Sequence, residues 1–291
     1  MRLVSFQAPE GPAWGVLLPA GVVPSSQLGS DVPASLADLF ADDALWSRLV
    51  RELPQRASAL TPLPLDSVSL LPCVPRPGKI ICLGVNYIDH AKEGGNQVGE
   101  YPAMFLRCAS SLLAHKAPMQ VPKASDKLDF EAELAVVIGR TARFVSEADA
   151  LNHVAGYCLA NDVSERDWQT KRNGQWGKGK SFPGFGPLGP WLVTKDEVPD
   201  PQNLAMFCDV DGVRQQDGST RTMIFGVKQL IAYVSQCITL NPGDVIFTGT
   251  PPGVGLGMKP PVYLKKGDVM TLGIDGLGEQ RQRVVAFRAA A

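Results

Sequence analysis

Two glutamates separated by one residue form the first pattern in this sequence that indicates chemistry. They lie in the run 129–134, Asp-Phe-Glu-Ala-Glu-Leu. Alternate residues of a β-strand face the same side, so Glu131 and Glu133 would project together. Neighbouring carboxylates repel each other unless a proton or a cation lies between them. Oxygen ligands of this type suit a hard divalent cation. An ordinary solvent-facing strand edge is the alternative interpretation.

Asp162 offers a third carboxylate. It follows the mainly apolar stretch 157–160 and begins a polar stretch. A carboxylate at the end of a strand is well placed to be a third metal ligand, whereas the same residue could equally be the N-cap of a helix. In the polar stretch, Arg166 and Gln169 are spaced to share one helix face. They could hold substrate oxygens or form a surface salt bridge.

His90 and Glu93 have the i, i+3 spacing that brings side chains together on a short helix. A carboxylate beside an imidazole orients the ring and raises its basicity, which suits a general base. An exposed helical ion pair is the alternative. The other two histidines, His115 and His153, are assigned to structural roles.

Two further segments hold polar groups in glycine-rich surroundings. Lys180 lies in the glycine-rich segment 177–189, where it could stabilise an anionic intermediate; a flexible loop with solvated lysines is the alternative. The segment 248–255 predicts a rigid loop that presents Thr250 and backbone donors. This loop has neither the phosphate-binding lysine motif nor the dinucleotide fingerprint. The sequence also lacks a G-x-S-x-G elbow and the zinc-binding spacings.

Composition narrows the class of protein. Of the 291 residues, 45% are hydrophobic and 20% are charged, with a net charge of −1. A large core is therefore expected, and neither a nucleic-acid partner nor a membrane partner is indicated. The chain has no signal-peptide-like start and no long apolar run. Its six cysteines form no C-x-x-C pair, which predicts free thiols in a reducing compartment. The cytoplasm is the expected location by default, because no targeting signal is found.

The order of elements predicts a mainly β fold with some α/β elements. Strands are expected near 2–6 and 13–18, and a helix is expected within 34–52. Proline-rich residues 62–77 indicate a connector, so we place a boundary between a small N-terminal domain, 1–74, and a catalytic domain, 75–291. Short strands follow, interrupted by predicted helices at 146–155 and 224–238. The absence of regular βαβ alternation disfavours a doubly wound sheet.

Five blocks, in the same order, resemble the fumarylacetoacetate hydrolase family. They span about 79–275 and are Lys79 to Tyr87 with His90, Ala91 and Glu93; Asp129 to Leu134; Asn161-Asp162 with Arg166, Asp167 and Gln169; Lys180-Ser181-Phe182; and Thr248 to Pro251. The combination is specific for the family but much less so for the reaction, since members hydrolyse, decarboxylate, dehydrate or isomerise related acids.

The resemblance implies a mixed β-sandwich roll with a small N-terminal domain, assembled as a homodimer. It implies Mg²⁺ or Mn²⁺, with Ca²⁺ as an occupant in crystals, bound by the carboxylates of Glu131, Glu133 and Asp162. It implies that His90 and Glu93, on a lid segment, form a water-activating dyad and that Lys180 stabilises an oxyanion or enolate. It also implies substrate contacts from Arg166, Gln169 and Thr250.

The segments 174–181, 222–227 and 276–278 resemble bacterial members that act on 2,4-dioxo sugar acids and other acylpyruvates. One position departs from the family, because Arg107 stands where members often have lysine. Arginine offers a planar fork that can hold a carboxylate through two hydrogen bonds. We therefore expect Arg107 to contact the substrate and to select a different acid.

The expected ligand is a small 2-oxo or 2,4-dioxo acid. The expected reaction is hydrolysis of its C3–C4 bond, in which the His90–Glu93 dyad activates water, a metal polarises the 2-oxo end, and Lys180 stabilises the leaving enolate of pyruvate. An oxaloacetate-type decarboxylase and a sugar-acid dehydratase could use the same site. A non-catalytic small-acid binding protein is the alternative from another class.

Overall fold

Short strands form most of the regular structure. The computed structural model describes residues 1–123 and 126–288. Its strands are β1 (Arg2–Ala8), β2 (Gly11–Leu18), β3 (Gly21–Pro24), β4 (Ser69–Leu70), β5 (Ile80–Gly84), β6 (Ala103–Arg107), β7 (Leu112–Leu113), β8 (Met119–Gln120), β9 (Leu128–Asp129), β10 (Ala132–Ile138), β11 (Val154–Asn161), β12 (Ser164–Glu165), β13 (Gly186–Pro187), β14 (Leu192–Thr194), β15 (Ala205–Val210), β16 (Val213–Ser219), β17 (Val245–Phe247), β18 (Val269–Ile274) and β19 (Gly278–Val285). Its α-helices are α1 (Leu36–Ala41), α2 (Asp43–Ser58), α3 (Ile88–Glu93), α4 (Arg166–Thr170), α5 (Trp176–Lys180) and α6 (Val227–Cys237). The predicted mainly β class is confirmed.

A ten-stranded mixed sheet forms the centre of the molecule. Its order is β3-β2-β1-β14-β11-β10-β17-β5-β6, with β4 paired to β1. Strand β5 runs parallel to β17, whereas β10 runs antiparallel to both β11 and β17. A five-stranded sheet, β16-β15-β18-β19-β8, forms a second layer. The mixed sheets agree with the predicted sandwich.

Strand β10 is buried on both faces, which explains its continuous apolar sequence. Leu134 and Val136 pack into a core shared with the second sheet and α6. Ala135 and Val137 point the other way, into a core with the N-terminal helices. Because alternate residues face opposite sides, one strand supplies both cores.

The first 74 residues are joined to the rest by backbone pairing and by a common core. Arg2 and Leu3 of β1 pair with Val193 and Leu192 of β14, so the N-terminal strands extend the central sheet. Helices α1 and α2 begin at the N-caps Ser35 and Asp42, which divides the single predicted helix into two. The domain boundary near residue 74 stays a prediction.

The predicted helix at 146–155 is wrong. Only a short 3₁₀ turn, Ala150–His153, is present, and Val154 begins strand β11. Gly156, expected to end the helix, instead lies within β11 and approaches Val193 so closely that a Cβ would be 2.1 Å from its carbonyl oxygen. Pairing with β10 and β14 therefore outweighs the local helical pattern. Within the described residues, none of the helices has the length and apolar character needed to cross a membrane.

Candidate metal centre and active site

The strand directions bring four chain segments together at one edge of the central sheet. Glu131 precedes β10, Asp162 follows β11, and residues 248–250 follow β17. Because β10 is antiparallel to both neighbours, its start lies beside their ends. Gly84, at the end of β5, reaches the same edge because β5 is parallel to β17. Sequence-distant polar groups therefore meet at this edge.

Three buried carboxylates form a compact cluster. One oxygen from each of Glu131, Glu133 and Asp162 can be chosen so that all three lie within 4.8 Å of one another. Asp162 is fixed by its backbone N–H, which donates to the Glu131 carbonyl at 2.9 Å. The side-by-side projection predicted from the E-x-E spacing is confirmed, and the distant Asp162 joins the pair.

Lys180 lies directly against this cluster. Its Nζ donates to Glu131 Oε2 at 2.8 Å and to Asp162 Oδ2 at 2.7 Å. Arg107 Nη1 donates to Asp162 Oδ1 at 2.6 Å. Burial alone would favour protonated Glu131, but attraction to Lys180 and Arg166 outweighs it and lowers the pKa of Glu131. Glu131 is therefore held ionised although it is buried.

Glu133 has no cationic partner within the part of the chain that the structure describes. It accepts a hydrogen bond from the Gly249 N–H at 2.9 Å. Burial, followed by repulsion from Asp162 and Glu131, raises the pKa of Glu133 well above its usual value. Counting Asp129, four buried acids here face three buried bases, Arg107, Arg166 and Lys180. A divalent cation among the three carboxylates fits this excess of negative charge and this all-oxygen donor set.

Asp129 is a site residue that the sequence analysis did not single out. Its carboxylate accepts from Arg166 Nε at 2.8 Å, and from the Gly255 and Leu256 N–H groups at 2.8 and 2.9 Å. Arg166 also pairs with Glu131 at 2.7 Å. Asp129 thus connects Arg166 to the loop after β17. Continuing the alternation of Glu133 and Glu131 back to residue 129 was the available signal.

The His90–Glu93 pair lies on α3, as its spacing predicts. His90 Nδ1 is 3.2 Å from Glu93 Oε2. The Gly253 N–H donates to both oxygens of Glu93, at 3.0 and 3.2 Å. Both side chains are largely buried, at 16% and 20% exposed. The loop after β17 therefore holds Glu93 beside the imidazole.

A cavity of about 480 Å³ connects these groups. Among the predicted site residues, the following line it: His90, Glu93, Glu131, Arg166, Gln169, Lys180 and Thr250. Gln169 Oε1 accepts from Arg166 Nη1 at 2.8 Å. Thr250 Oγ1 donates to the Ala132 carbonyl and accepts from Gln216 Nε2, both at 2.8 Å. Gln216 is a second residue that the sequence analysis missed.

Arg107 lies beside the carboxylate cluster and contacts protein groups. It does not line the cavity, and its side chain is fully buried. It contacts Asp162, the Ser111 hydroxyl and the Lys180 carbonyl. Arg107 therefore holds Asp162 in place, and its expected contact with the substrate stays a prediction.

The two remaining histidines have structural contacts, as expected. His115 Nδ1 accepts from the Arg281 N–H at 3.1 Å, and burial lowers the pKa of His115 to about 4. His153 Nδ1 lies 2.9 Å from the Thr141 carbonyl. All six cysteines are free thiols, in agreement with the prediction from their scattered positions.

The arrangement defines a class of protein: an enzyme fold with a buried carboxylate centre next to a histidine–glutamate pair. Residues 79–285 match the family described as fumarylacetoacetate (FAA) hydrolase C-terminal. The chain belongs to the fumarylacetoacetate hydrolase family.

Relatives cover the chain almost completely. A Burkholderia multivorans protein, named provisionally as a hydrolase, is 50% identical over 99% of this chain and 100% of its own length. The structure of maleylpyruvate hydrolase from Sphingobium sp. SYK-6, in complex with manganese(II) and pyruvate, has a TM-score of 0.81 and 32% identity over 99% of this chain and 100% of that one. The structure of 2-hydroxyhepta-2,4-diene-1,7-dioate isomerase from Mycobacterium marinum has a TM-score of 0.76 and 30% identity over the same shares.

Proposed function

We propose that this chain is a divalent-metal-dependent hydrolase that cleaves the C3–C4 bond of an acylpyruvate to give pyruvate and a carboxylic acid. The observation that carries the proposal is one cavity lined by Glu131, Lys180 and the His90–Glu93 pair, with the other two carboxylates of the cluster within 4.8 Å of Glu131. The manganese and pyruvate bound to the Sphingobium relative support the same reading of the site.

Glu131, Glu133 and Asp162 would hold Mg²⁺ or Mn²⁺. When bound, the ion would supply Lewis-acid polarisation of the 2-oxo end of the substrate. Lys180, already hydrogen-bonded to two of these carboxylates, would offer positive charge to the enolate that forms there. Gln169, Arg166 and Thr250 would orient the substrate from the cavity wall.

His90 and Glu93 would act on water. The imidazole, oriented by the Glu93 carboxylate, would remove a proton as the oxygen attacks the C4 carbonyl. When the C3–C4 bond breaks, its electron pair goes to C3, and a proton from the dyad completes pyruvate. The other product is the carboxylate of the acyl group. The Gly253 N–H contacts would keep Glu93 in place during both transfers.

Isomerisation of a 2-hydroxy-dienoate is the second candidate, because the Mycobacterium marinum relative carries that name. It would need proton transfer at the enolate but no attack by water. Decarboxylation of oxaloacetate or dehydration of a sugar acid would use the same carboxylate centre. A binding protein without catalysis would leave the dyad without a role.

A turnover panel separates these reactions. The purified chain is incubated with Mn²⁺ or Mg²⁺ and with acylpyruvates, oxaloacetate or a 2-hydroxy-dienoate, with and without EDTA. Release of pyruvate together with the acyl carboxylate, abolished by EDTA, is the expected result. Carbon dioxide from oxaloacetate alone, or an isomerised product without cleavage, would replace the proposal with one of its competitors.

The family resemblance also leads us to propose a homodimer with a small-acid substrate as its other partner. Sedimentation analysis of the purified chain tests the dimer, which should have twice the 31.2 kDa chain mass.

A further inference from the structure

An aromatic wall begins next to Lys180. Lys180 Nζ lies 5.5 Å from the centre of the Phe105 ring. Phe105 in turn meets Trp176 edge to face, with the ring centres 5.8 Å apart. Both rings line the cavity, and so do Leu83, Val254, Leu256 and Met258. The carboxylate cluster lies on one side of Lys180, and this uncharged surface extends from it along the cavity.

The position of Trp176 depends on two glycines. A Cβ on Gly84 would lie 2.0 Å from Trp176 Cζ3, so the indole occupies the space that a side chain at residue 84 would need. The next residue, Gly177, is close to the backbone of β6, where a Cβ would be 2.5 Å from the Leu106 carbonyl oxygen. The indole is therefore fixed against β5, and it cannot retreat without moving α5.

The buried cationic side chains of the cavity are already paired with protein carboxylates, so they are not available to a second carboxylate of the substrate. Lys180 is paired with Glu131 and Asp162, and Arg166 is paired with Asp129 and Glu131. Lys259 also lines the cavity, but it is exposed. A contact between an exposed lysine and a carboxylate is screened by water and contributes little. Burying an unpaired carboxylate against Phe105 and Trp176 would be costly.

We propose that the acyl group of the substrate is uncharged and apolar, and that Trp176 is the residue that selects it. This inference rests on the proposed hydrolysis of acylpyruvates, with the pyruvoyl end at the carboxylates and the acyl group along the Phe105–Trp176 wall. Each methylene of the acyl chain that packs there should raise kcat/KM about fourfold. A terminal carboxylate should lose that gain.

Three substrates test the inference on the unmodified chain with Mn²⁺: 2,4-dioxopentanoate, 2,4-dioxooctanoate and 2,4-dioxooctanedioate, with pyruvate release as the readout. The octanoate carries three more methylenes than the pentanoate, so we expect its kcat/KM to be on the order of 50-fold higher. We expect the dioate to fall at least tenfold below the octanoate. Preference for the dioate, or equal values for all three, would overturn the inference while leaving the hydrolase proposal intact.

Substitutions then test whether Trp176 is the source of the preference for the longer acyl chain. Trp176→Ala should reduce the octanoate-to-pentanoate ratio to below fivefold, and Gly84→Ala, which displaces the indole, should also reduce it. Trp168→Ala is the matched control, because Trp168 is another half-buried tryptophan that packs on Phe182 and does not line the cavity. An unchanged ratio in both folded Trp176 and Gly84 variants would refute the role of Trp176. Absence of pyruvate from every substrate would overturn the proposed function and this inference together.

Discussion

Glu93 packs against Gly257 so closely that a Cβ on the glycine would lie 2.3 Å from Glu93 Cδ. The same carboxylate accepts hydrogen bonds from the Gly253 N–H. Gly253 and Gly257, both in the loop after β17, therefore hold the Glu93 side chain in place. The closeness of this contact explains how a short helix, α3, can present Glu93 and His90 at a fixed position in the cavity.

Gly257→Ala should displace Glu93 and lower kcat by about 10²-fold, because the base loses its orientation. Mn²⁺ affinity should stay within about threefold, since the carboxylate cluster is not touched; calorimetric titration measures it alongside turnover. Gly174→Ala is the control for a methyl group that meets no atom within 4 Å, and its φ of +63° makes it the more strained backbone position of the two. Equal kcat for the two variants would show that the Gly257 contact does not position the base.

Removal of the imidazole should separate chemistry from metal binding. His90→Ala should reduce kcat on the order of 10²–10⁴-fold, the usual contribution of a general base, with Mn²⁺ affinity unchanged. His153→Ala, which loses only a contact to the Thr141 carbonyl, should keep normal turnover. Near-normal turnover of the His90 variant would remove His90 from the proposed dyad.

Glu133→Gln should weaken Mn²⁺ binding by at least about 10²-fold, because a charged ligand becomes a neutral one. Glu133 is the cluster member without a cationic partner among the described residues, so its loss should not leave a buried base unpaired. Binding is measured by calorimetry on the chain stripped with EDTA. The exposed Glu147→Gln is the control, and tight Mn²⁺ binding by the Glu133 variant would contradict the ligand assignment.

Asp129→Asn should destabilise the fold by about 3 kcal/mol, because it leaves the buried Arg166 without its main partner. Asp167→Asn is the matched control, because Asp167 lies next to Arg166 on helix α4. Asp167 pairs with Lys127 and Lys171 near the surface, where water screens ion pairs and they contribute little to stability. Urea unfolding of both variants compares the two losses. Equal destabilisation would mean that Asp129 does not hold the network.

Protonation of His115 should lower the free energy of unfolding as the pH falls. Burial lowers the pKa of this imidazole from 6.5 to about 4, so the unfolded chain binds more protons than the folded chain between these values. The stabilisation is therefore complete above pH 6.5 and is lost as the pH falls towards 4. Because the ring is partly exposed, screening reduces the contribution to on the order of 1 kcal/mol at pH 5. His115→Asn should flatten this part of the stability curve, measured by urea unfolding at pH 7 and pH 5; an unchanged slope would refute it.

The sequence by itself determined the groups that are set by short-range spacing. Alternation on a strand placed Glu131 beside Glu133, and helical spacing placed His90 beside Glu93 and Arg166 beside Gln169. The continuous apolar run after Glu133 is typical of a strand that is buried on both faces, as β10 is. The resemblance of five ordered blocks predicted the family that the comparisons then established.

Only the tertiary structure decided which distant groups meet. The antiparallel pairing of β10 with β11 and β17 brings Asp162 and Thr250 to Glu131, and no local spacing encodes that pairing. The same long-range pairing made residues 154–155, the end of the helix predicted at 146–155, part of strand β11. It also placed Arg107 beside Asp162, a contact between residues 55 positions apart that no local spacing predicts. Local periodicity determines the face of a strand or helix on which a side chain lies. The order and packing of the strands determine which distant residues that side chain contacts.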